Sequence, residues 1–139
     1  MRSEFLLAVS LSLTLLSGVA LARSDVPLVN HPNIAITSGS GKPLSQEQVK
    51  QAIMAGAAAK TWTTTLEQDG SITATVLVRN KHSASVRIVF SSEKYSVTYK
   101  DSINLKFIDK GSDGQFIHPH YNGWVNNLID AIRIETGRL

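Results

Sequence analysis

The chain of 139 residues contains no cysteine. Disulfide bonds, thiol catalysis and thiolate metal sites are therefore excluded, and so is a lipid attached to a signal-peptide cysteine. Small secreted domains of eukaryotes usually rely on disulfides for their stability. If this chain is exported, the lack of cysteine fits a bacterial periplasm better, and the hydrophobic core alone must hold the fold together.

An apolar run long enough to cross a membrane is missing as well. The run from Phe5 to Leu16 has 12 residues, whereas a spanning helix needs about 20. Arg2 precedes this run, and the small residues of Ala20-Leu21-Ala22 follow it. This arrangement is typical of a secretory signal peptide. We expect residues 1–22 to be cleaved off, which leaves a periplasmic or secreted protein without a membrane span.

Several motifs that carry chemistry are absent. The chain has neither H-E-x-x-H nor G-x-S-x-G, and "GSGKP" at residues 39–43 lacks the spacing of a phosphate-binding loop. Its basic residues are spread out rather than clustered, which argues against nucleic acid. We therefore expect no enzyme activity and no cofactor. A small hydrolase that uses Ser102 or a pair of carboxylates is the third hypothesis.

The formal net charge is +3, and most of the excess lies in residues 79–110, with seven basic against three acidic side chains. Such a bias favours weak contact with anionic polymers of the cell envelope. A solvated sheet face is the more common explanation of spread charges.

What is present divides the mature chain into an arm and one domain. Residues 23–43 hold three prolines and a Ser/Gly run, and we interpret them as a flexible arm. In an alternative, "NIAIT" at residues 33–37 lies against the domain as a short strand. Residues 44–139 have the length of one ordinary domain.

Both helices are predicted from local patterns. Ser45 and Gln48 match a capping box, and a narrow apolar stripe with small residues around Gly56 follows them. In the closing segment, apolar residues recur at spacings of three and four from Tyr121 onward, which predicts a second helix. Gly56 indicates a close approach to whatever the first helix packs on.

Between the helices the apolar period changes from 3.6 to 2, which is typical of an antiparallel meander. We expect strands over residues 62–66, 72–79, 84–90 and 95–100, and a fifth strand over residues 103–108 is left open. One apolar sheet face needs a cover, and the helices are the only candidates. The sequence thus predicts an α+β fold, a two-layer α/β sandwich in the order α-β-β-β-β-α with both helices on one face of the sheet.

The other sheet face is mostly Thr, Ser, Arg and Lys. It is either an ordinary solvated surface or a surface that binds a polymer or a partner protein. Its residues are Thr63, Thr65, Thr73, Thr75, Ser85, Arg87, Thr98 and Lys100, interrupted by Leu77 and Val89.

His118-Pro119-His120 opens the second helix, and it has two interpretations. Proline suits the first helical position because its missing N–H costs nothing there, and His118 is then the cap or the residue before it. Alternatively, His118 and His120 bind a metal, with His31 of the arm as a further ligand. Zinc needs three or four ligands, so helix entry is the preferred reading and metal binding is the second hypothesis.

The chain resembles a group of small uncharacterised exported proteins and lipoproteins of proteobacteria. Three stretches carry the resemblance: "GKPLSQEQVKQAI", "YSVTYKDSINL" and "IHPHYNGWVNNL". The pattern Y-x-x-x-Y-x-x-S-x-x-L followed by I-H-x-x-Y-N-x-W-x-x-x-L falls on Tyr95, Tyr99, Ser102, Leu105, Ile117, His118, Tyr121, Asn122, Trp124 and Leu128. Many members are similar to lipoproteins, and this chain departs from them because it has no cysteine. The resemblance implies fold and location but no activity.

The leading hypothesis is a non-enzymatic periplasmic domain that binds a protein or a small ligand of the cell envelope. We expect the binding residues where the sheet end meets the helix start, with a hydrogen bond between His118 and Ser102. Tyr121 and Trp124 are a candidate platform for a sugar or peptide, but core positions are favoured, and Trp124 with Tyr95 is expected to anchor the core. The candidate binding residues are Tyr99, Ser102, His118, Tyr121, Asn122 and Trp124.

Overall fold

The structure is a computed structural model that describes residues 25–139. The predicted signal peptide over residues 1–22 lies outside the described residues. In chain order the elements are β1 Val26–Pro27, β2 His31–Ala35, α1 Gln46–Ala59, β3 Thr63–Leu66, β4 Ile72–Val78, β5 His82–Phe90, β6 Lys94–Ile103, β7 Ile108–Asp109, β8 Gln115–Ile117 and α2 His120–Gly137. Among these elements, neither helix is long and apolar enough to cross a bilayer.

The main sheet has five strands in the order β2-β6-β5-β4-β3, and all neighbours run antiparallel. The segment from β3 to β6 is the predicted meander. Every second residue of β4 from Ile72 to Val76 is buried, because this face packs against α1 and α2 to form one core. The predicted α+β fold, with helices on an antiparallel sheet, is confirmed.

The arm contributes strands to the fold, which differs from the expected flexible tether. β2 pairs with β6 at the edge of the main sheet, and it overlaps "NIAIT", the stretch that the alternative placed against the domain, only at residues 33–35. β1 pairs with β8, which also pairs with β7 to form a second, three-stranded sheet. No alternation marks β2 in the sequence because Pro32 and Asn33, which has a φ of 54°, shift its register.

A β-bulge explains why β6 is longer than predicted. Ser85 pairs with Asp101 but Val86 pairs with Tyr99, so Lys100 is an extra residue on β6. A bulge of this kind changes which side chains face the core, and the apolar alternation therefore stops before the strand ends at Ile103. Residues 104–107 form no strand, and the open fifth strand reduces to β7 in the second sheet.

α1 begins as predicted and packs closely on α2. The hydroxyl of Ser45 accepts a hydrogen bond from the Gln48 N–H at 3.1 Å, and Gln48 Oε1 accepts one from the Ser45 N–H at 2.9 Å. A Cβ on Gly56 would lie 2.7 Å from the backbone nitrogen of Ile132. The expected close approach at Gly56 is therefore made to the backbone of the second helix.

α2 provides Tyr121, the largest of the core side chains that are less than 2% exposed among the described residues. Tyr121 is 1% exposed and Tyr95 is 3% exposed, so the predicted core place of Tyr95 agrees with the structure. Trp124 is only half-buried and packs at the margin of the core. The reason is its position on α2 beside a cavity, which leaves part of the indole exposed.

Candidate functional site

The first turn of α2 is held by the backbone and one ring of the His-Pro-His segment. Pro119 has helical angles, φ −54° and ψ −29°. His118 Nδ1 accepts a hydrogen bond from the His120 N–H at 3.1 Å, and the His118 carbonyl accepts one from the Tyr121 N–H at 3.1 Å. Pro119 is therefore the N-cap of α2, one residue earlier than the predicted first helical position, and His118 is the residue before the cap. The ring of His120 is exposed and is not needed for the cap.

A cavity of about 330 Å³ lies beside this helix start. Three parts of the chain meet there: the turn between β4 and β5, the segment that follows β6, and the first turn of α2. Its apolar walls are Val78, Leu105 and Trp124, and its polar walls are Arg79, His82, His118 and His120. Three of the four histidines of the chain thus line one cavity.

Aromatic rings form one continuous side of this cavity. The ring centroids of His118 and His120 lie 4.6 Å apart, and those of His120 and Trp124 lie 6.1 Å apart with an interplanar angle of 21°. The His120 and Trp124 rings are nearly parallel, and each adds an aromatic surface to the cavity wall. A planar or cyclic ligand can lie against such a surface with favourable contact.

Hydrogen bonds between two loops fix the floor of the cavity. His82 Nδ1 lies 3.0 Å from the Asn104 carbonyl, and Asn104 Nδ2 donates to the Lys81 carbonyl at 2.7 Å. The His118 N–H donates to the Leu105 carbonyl at 2.8 Å. The β4–β5 turn, the loop after β6 and the start of α2 are therefore tied together without any ligand.

The same two loops hold unusual backbone conformations. Among the described residues, six non-glycine residues have a positive φ, and four of them lie in these loops. Arg79 and Lys106, both with φ 53°, have no short polar side chain that eases this conformation. Residues held in such conformations cluster at binding sites, where the surroundings over-determine them. The four residues are Arg79, Asn80, Asn104 and Lys106.

The charge of the cavity has one sign. Arg79 is cationic at any physiological pH, and none of the wall residues is Asp or Glu. Histidine rings offer N–H donors. Such walls suit an anionic group, since an arginine binds carboxylate or phosphate oxygens with two parallel hydrogen bonds.

The predicted metal site is not assembled in the described residues. Between residues 25 and 139, no three side chains of His, Asp or Glu are placed to hold a metal ion. His31, the proposed extra ligand, lies in β2 opposite Val97. The third histidine at the cavity is instead His82.

Of the six predicted binding residues, only His118 and Trp124 line the cavity. The Tyr99 hydroxyl lies 2.8 Å from Ser102 Oγ, and the Tyr99 ring stacks on Phe107 with centroids 4.3 Å apart. Tyr99 also meets Tyr121 edge to face at 5.7 Å. These residues pack one end of the core, and burial raises the pKa of both tyrosines. The predicted hydrogen bond between His118 and Ser102 stays a prediction.

Asn122 ties the arm to the second helix. Its Nδ2 donates to the Pro27 carbonyl at 3.0 Å, and its Oδ1 accepts from the Val29 N–H at 3.1 Å. Both ends of the amide are thus used for β1 and the residues after it. Asn122 therefore holds the arm against the start of α2, and its predicted role in binding stays a prediction.

Sequence reasoning missed four wall residues: Val78, Arg79, His82 and Leu105. Arg79 and His82 were assigned to a strand end and a turn. The signal that marks them is "RNKH" itself, a hairpin connection without glycine that carries three basic or imidazole side chains. A hairpin turn with left-handed residues normally favours Gly or Asn. The basic residue Arg79 at the first position of this turn therefore indicates a function other than forming the turn.

The outer sheet face, by contrast, satisfies its own polar groups. Lys100 Nζ donates to Thr73 Oγ1 at 2.7 Å, and Arg87 Nη2 lies 2.8 Å from Asp69 Oδ2. Hydrogen bonds from Ser71 and Arg87 hold the pKa of Asp69 well below its ordinary value. This face resembles an ordinary solvated surface more than a binding surface.

Comparison with known proteins gives no match: no family model fits the chain, and no curated protein or solved structure is similar to it.

Proposed function

We propose that the protein is a binding domain of the bacterial envelope, exported to the periplasm by its signal peptide, and that it takes a small anionic ligand in the cavity beside α2. The observation that carries this proposal is the composition of the walls. Arg79 and three histidines surround a cavity whose remaining walls are apolar, and no carboxylate of residues 25–139 lines it. The excess of basic residues in the surrounding segment 79–110 acts in the same direction.

The cavity has the size of a small-molecule site, and its apolar and polar walls can contact different parts of a ligand. Its volume of about 330 Å³ lies within the range of roughly 300–1,000 Å³ for ligand pockets, which are mostly apolar with a few placed polar groups. The guanidinium of Arg79 is the natural partner of a carboxylate or phosphate. Trp124, Leu105 and Val78 take the apolar body of the ligand.

His118 and His120 have different parts in this proposal. His118 Nδ1 accepts the His120 N–H at the start of α2, so it positions the neighbouring ring. His120 is exposed and stacks toward Trp124, so its ring nitrogens are available to the ligand. Replacement of His120 should therefore weaken binding without loosening the fold.

The test of the cavity uses three matched probes: phenyl phosphate, inorganic phosphate and phenol. By isothermal titration calorimetry, we expect phenyl phosphate to bind more tightly than either part alone, because it uses both the cationic and the apolar wall. Arg79→Gln should lower the affinity for phenyl phosphate by about tenfold or more, because a charge-assisted hydrogen bond is lost. Arg79→Lys should restore part of the loss.

Arg133→Gln is the matched control. Arg133 is an exposed arginine of α2 that pairs with Asp130 at 3.0 Å, away from the cavity. Equal binding of phenol and phenyl phosphate, or an Arg79→Gln protein that binds as tightly as the Arg133→Gln protein, would contradict the anionic ligand. Stoichiometric zinc or copper that is lost on His120→Ala would replace the proposal by the metal hypothesis.

Export has its own test. The protein expressed from its complete sequence in a Gram-negative bacterium should appear in the periplasmic fraction. The mass of the purified protein should correspond to a chain that begins at Arg23. An uncleaved chain that stays in the cytoplasm would overturn the proposed location, whatever the cavity binds.

A further inference from the structure

A second cavity adjoins the first one. It has a volume of about 180 Å³, and Val78 and Trp124 belong to the walls of both cavities. These two side chains therefore border both cavities, and the half-buried indole of Trp124 is a wall that the cavities share. The additional walls of the second cavity are Lys60, Thr61, Trp62, Val76 and Asn127.

The second cavity lies where the end of α1 approaches α2. Lys60 caps the C-terminus of α1, and its N–H donates to the Ala57 carbonyl at 3.1 Å. Thr61, with φ 64°, turns the chain from α1 into β3. Asn127 lies on α2 three residues beyond Trp124, so both side chains are on the same side of the helix. All three polar residues are exposed.

The chemistry of the two cavities is similar. Each has cationic and hydrogen-bonding side chains at its rim and shares the apolar wall made by Val78 and Trp124, and neither has an Asp or Glu among its described wall residues. Lys60 makes no salt bridge with any described residue. A ligand that occupies both cavities must therefore be elongated, with acidic groups on either side of a body that lies against the indole.

We propose that the two cavities form one binding groove for an acidic oligosaccharide of at least two sugar units. Sugar rings have an apolar face that lies against an aromatic ring, and their hydroxyl groups suit the amide of Asn127, the hydroxyl of Thr61 and the imidazoles. One carboxylate reaches Arg79 and another reaches Lys60, one on each side of Trp124. The inference rests on the proposed function, since the first cavity must bind an anion.

Other elongated anions fit the groove less well. An extended peptide binds by hydrogen bonds to the unpaired backbone N–H and C=O groups of a sheet edge. The edges of the main sheet are β2 and β3, whereas the wall residues of the groove lie mainly on loops and on the helices. Nucleic acid is disfavoured because the basic residues of the chain do not form a continuous stripe. The alternation of cation, indole and cation matches acidic sugars.

The experiment compares galacturonic acid with its dimer and trimer by titration calorimetry. We expect the dimer to bind about tenfold more tightly than the monomer, because it reaches the second cavity. Lys60→Gln should weaken the binding of the dimer by about threefold to fivefold, which is the effect expected from the loss of an exposed ion pair. Arg79→Gln should weaken monomer and dimer alike. The trimer with methyl-esterified carboxylates should bind much more weakly than the acid.

Lys94→Gln is the control for Lys60→Gln, because Lys94 is an exposed lysine of β6 that lines neither cavity. If monomer and dimer bind equally, or if Lys60→Gln matches Lys94→Gln, the second cavity is not part of the site, while the proposed function stands. If phenyl phosphate binds but no galacturonate does, the sugar class is wrong. If neither binds, both proposals fail.

Discussion

The two helices cover the same sheet but begin in different ways. α1 begins at a capping box in which Ser45 and Gln48 satisfy each other's backbone groups. α2 has Pro119 at its N-cap, the His118 ring accepts the His120 N–H, and the exposed ring of His120 lies beside Trp124 at the cavity. Both starts are structural, but only the second lines the cavity beside Trp124.

The difference shows how a helix of the core also carries a site. One side of α2 buries Tyr121, Val125 and Leu128, whereas Trp124 and Asn127 lie on a side that borders the cavities. α1 has mostly alanine and polar residues outside its buried stripe. Substitutions on the two helices can separate the packing of the core from the binding at the cavity.

The largest effect is expected from Tyr121→Ala. This ring is 1% exposed in the core, and its removal should lower the free energy of unfolding by about 3–5 kcal/mol. Trp124→Ala should cost clearly less, about 1–2 kcal/mol, because the indole is already half-exposed. Urea unfolding followed by circular dichroism measures both. Equal losses would place Trp124 in the core, as the sequence predicted, and would weaken its case as a ligand platform.

The next effect tests the contact between the helices. Gly56→Val places its Cβ against the backbone of Ile132, so the helices must move apart, and overpacking of this kind costs about 1–3 kcal/mol. Gly123→Ala in α2 is the matched control. A Cβ there meets nothing within 4 Å, and the substitution should stabilise the protein by about 0.5–1 kcal/mol. Thermal unfolding of both variants gives the sign, and a tolerated valine at position 56 would show that the close approach is not required.

A smaller effect is expected from Ser45→Ala. The lost cap should lower the free energy of unfolding by about 1 kcal/mol. Because the α1 start borders neither cavity, the affinity for phenyl phosphate should not change. His120→Ala should give the opposite pair of results, with weaker binding and almost unchanged stability. A Ser45→Ala protein that loses affinity would show that the two helix starts are coupled.

Alkaline pH should lower the stability of the protein through its buried tyrosines, whereas these rings should have no such effect near neutral pH. Burial raises the pKa of Tyr95 to about 12, compared with about 10 in an unfolded chain. Above that lower value the unfolded state binds fewer protons than the native state, so stability falls as the pH rises from 10 toward 12. Absorbance of the phenolate and urea midpoints at several alkaline pH values measure this. A tyrosine step at the ordinary pKa of an exposed phenol would contradict the burial of all three rings.

The parts of the fold that depend on neighbours in sequence could be predicted. The capping box of Ser45, the alternation of β4 and the helical spacing after Tyr121 are all local signals. The pairing of β2 with β6 could not be predicted, because His31 and Val97 are far apart in the chain and Pro32 hides the strand. The cavity was missed for the same reason, since Arg79, Leu105 and Trp124 come together only after the sheet and helix have formed.

The two short strands at the start of the described chain determine when folding can finish. Val26 pairs with Ile117, and His31 pairs with Val97, so these contacts close almost the whole length of the domain. Contacts between residues that are far apart in sequence form only after the entropy of closing a long loop has been lost. Such contacts therefore slow folding. During folding, residues 26–35 must therefore wait for the last third of the chain, and the edge of β6 stays open to other strands until then. Deletion of these residues would leave that edge permanently open and make the protein prone to aggregation.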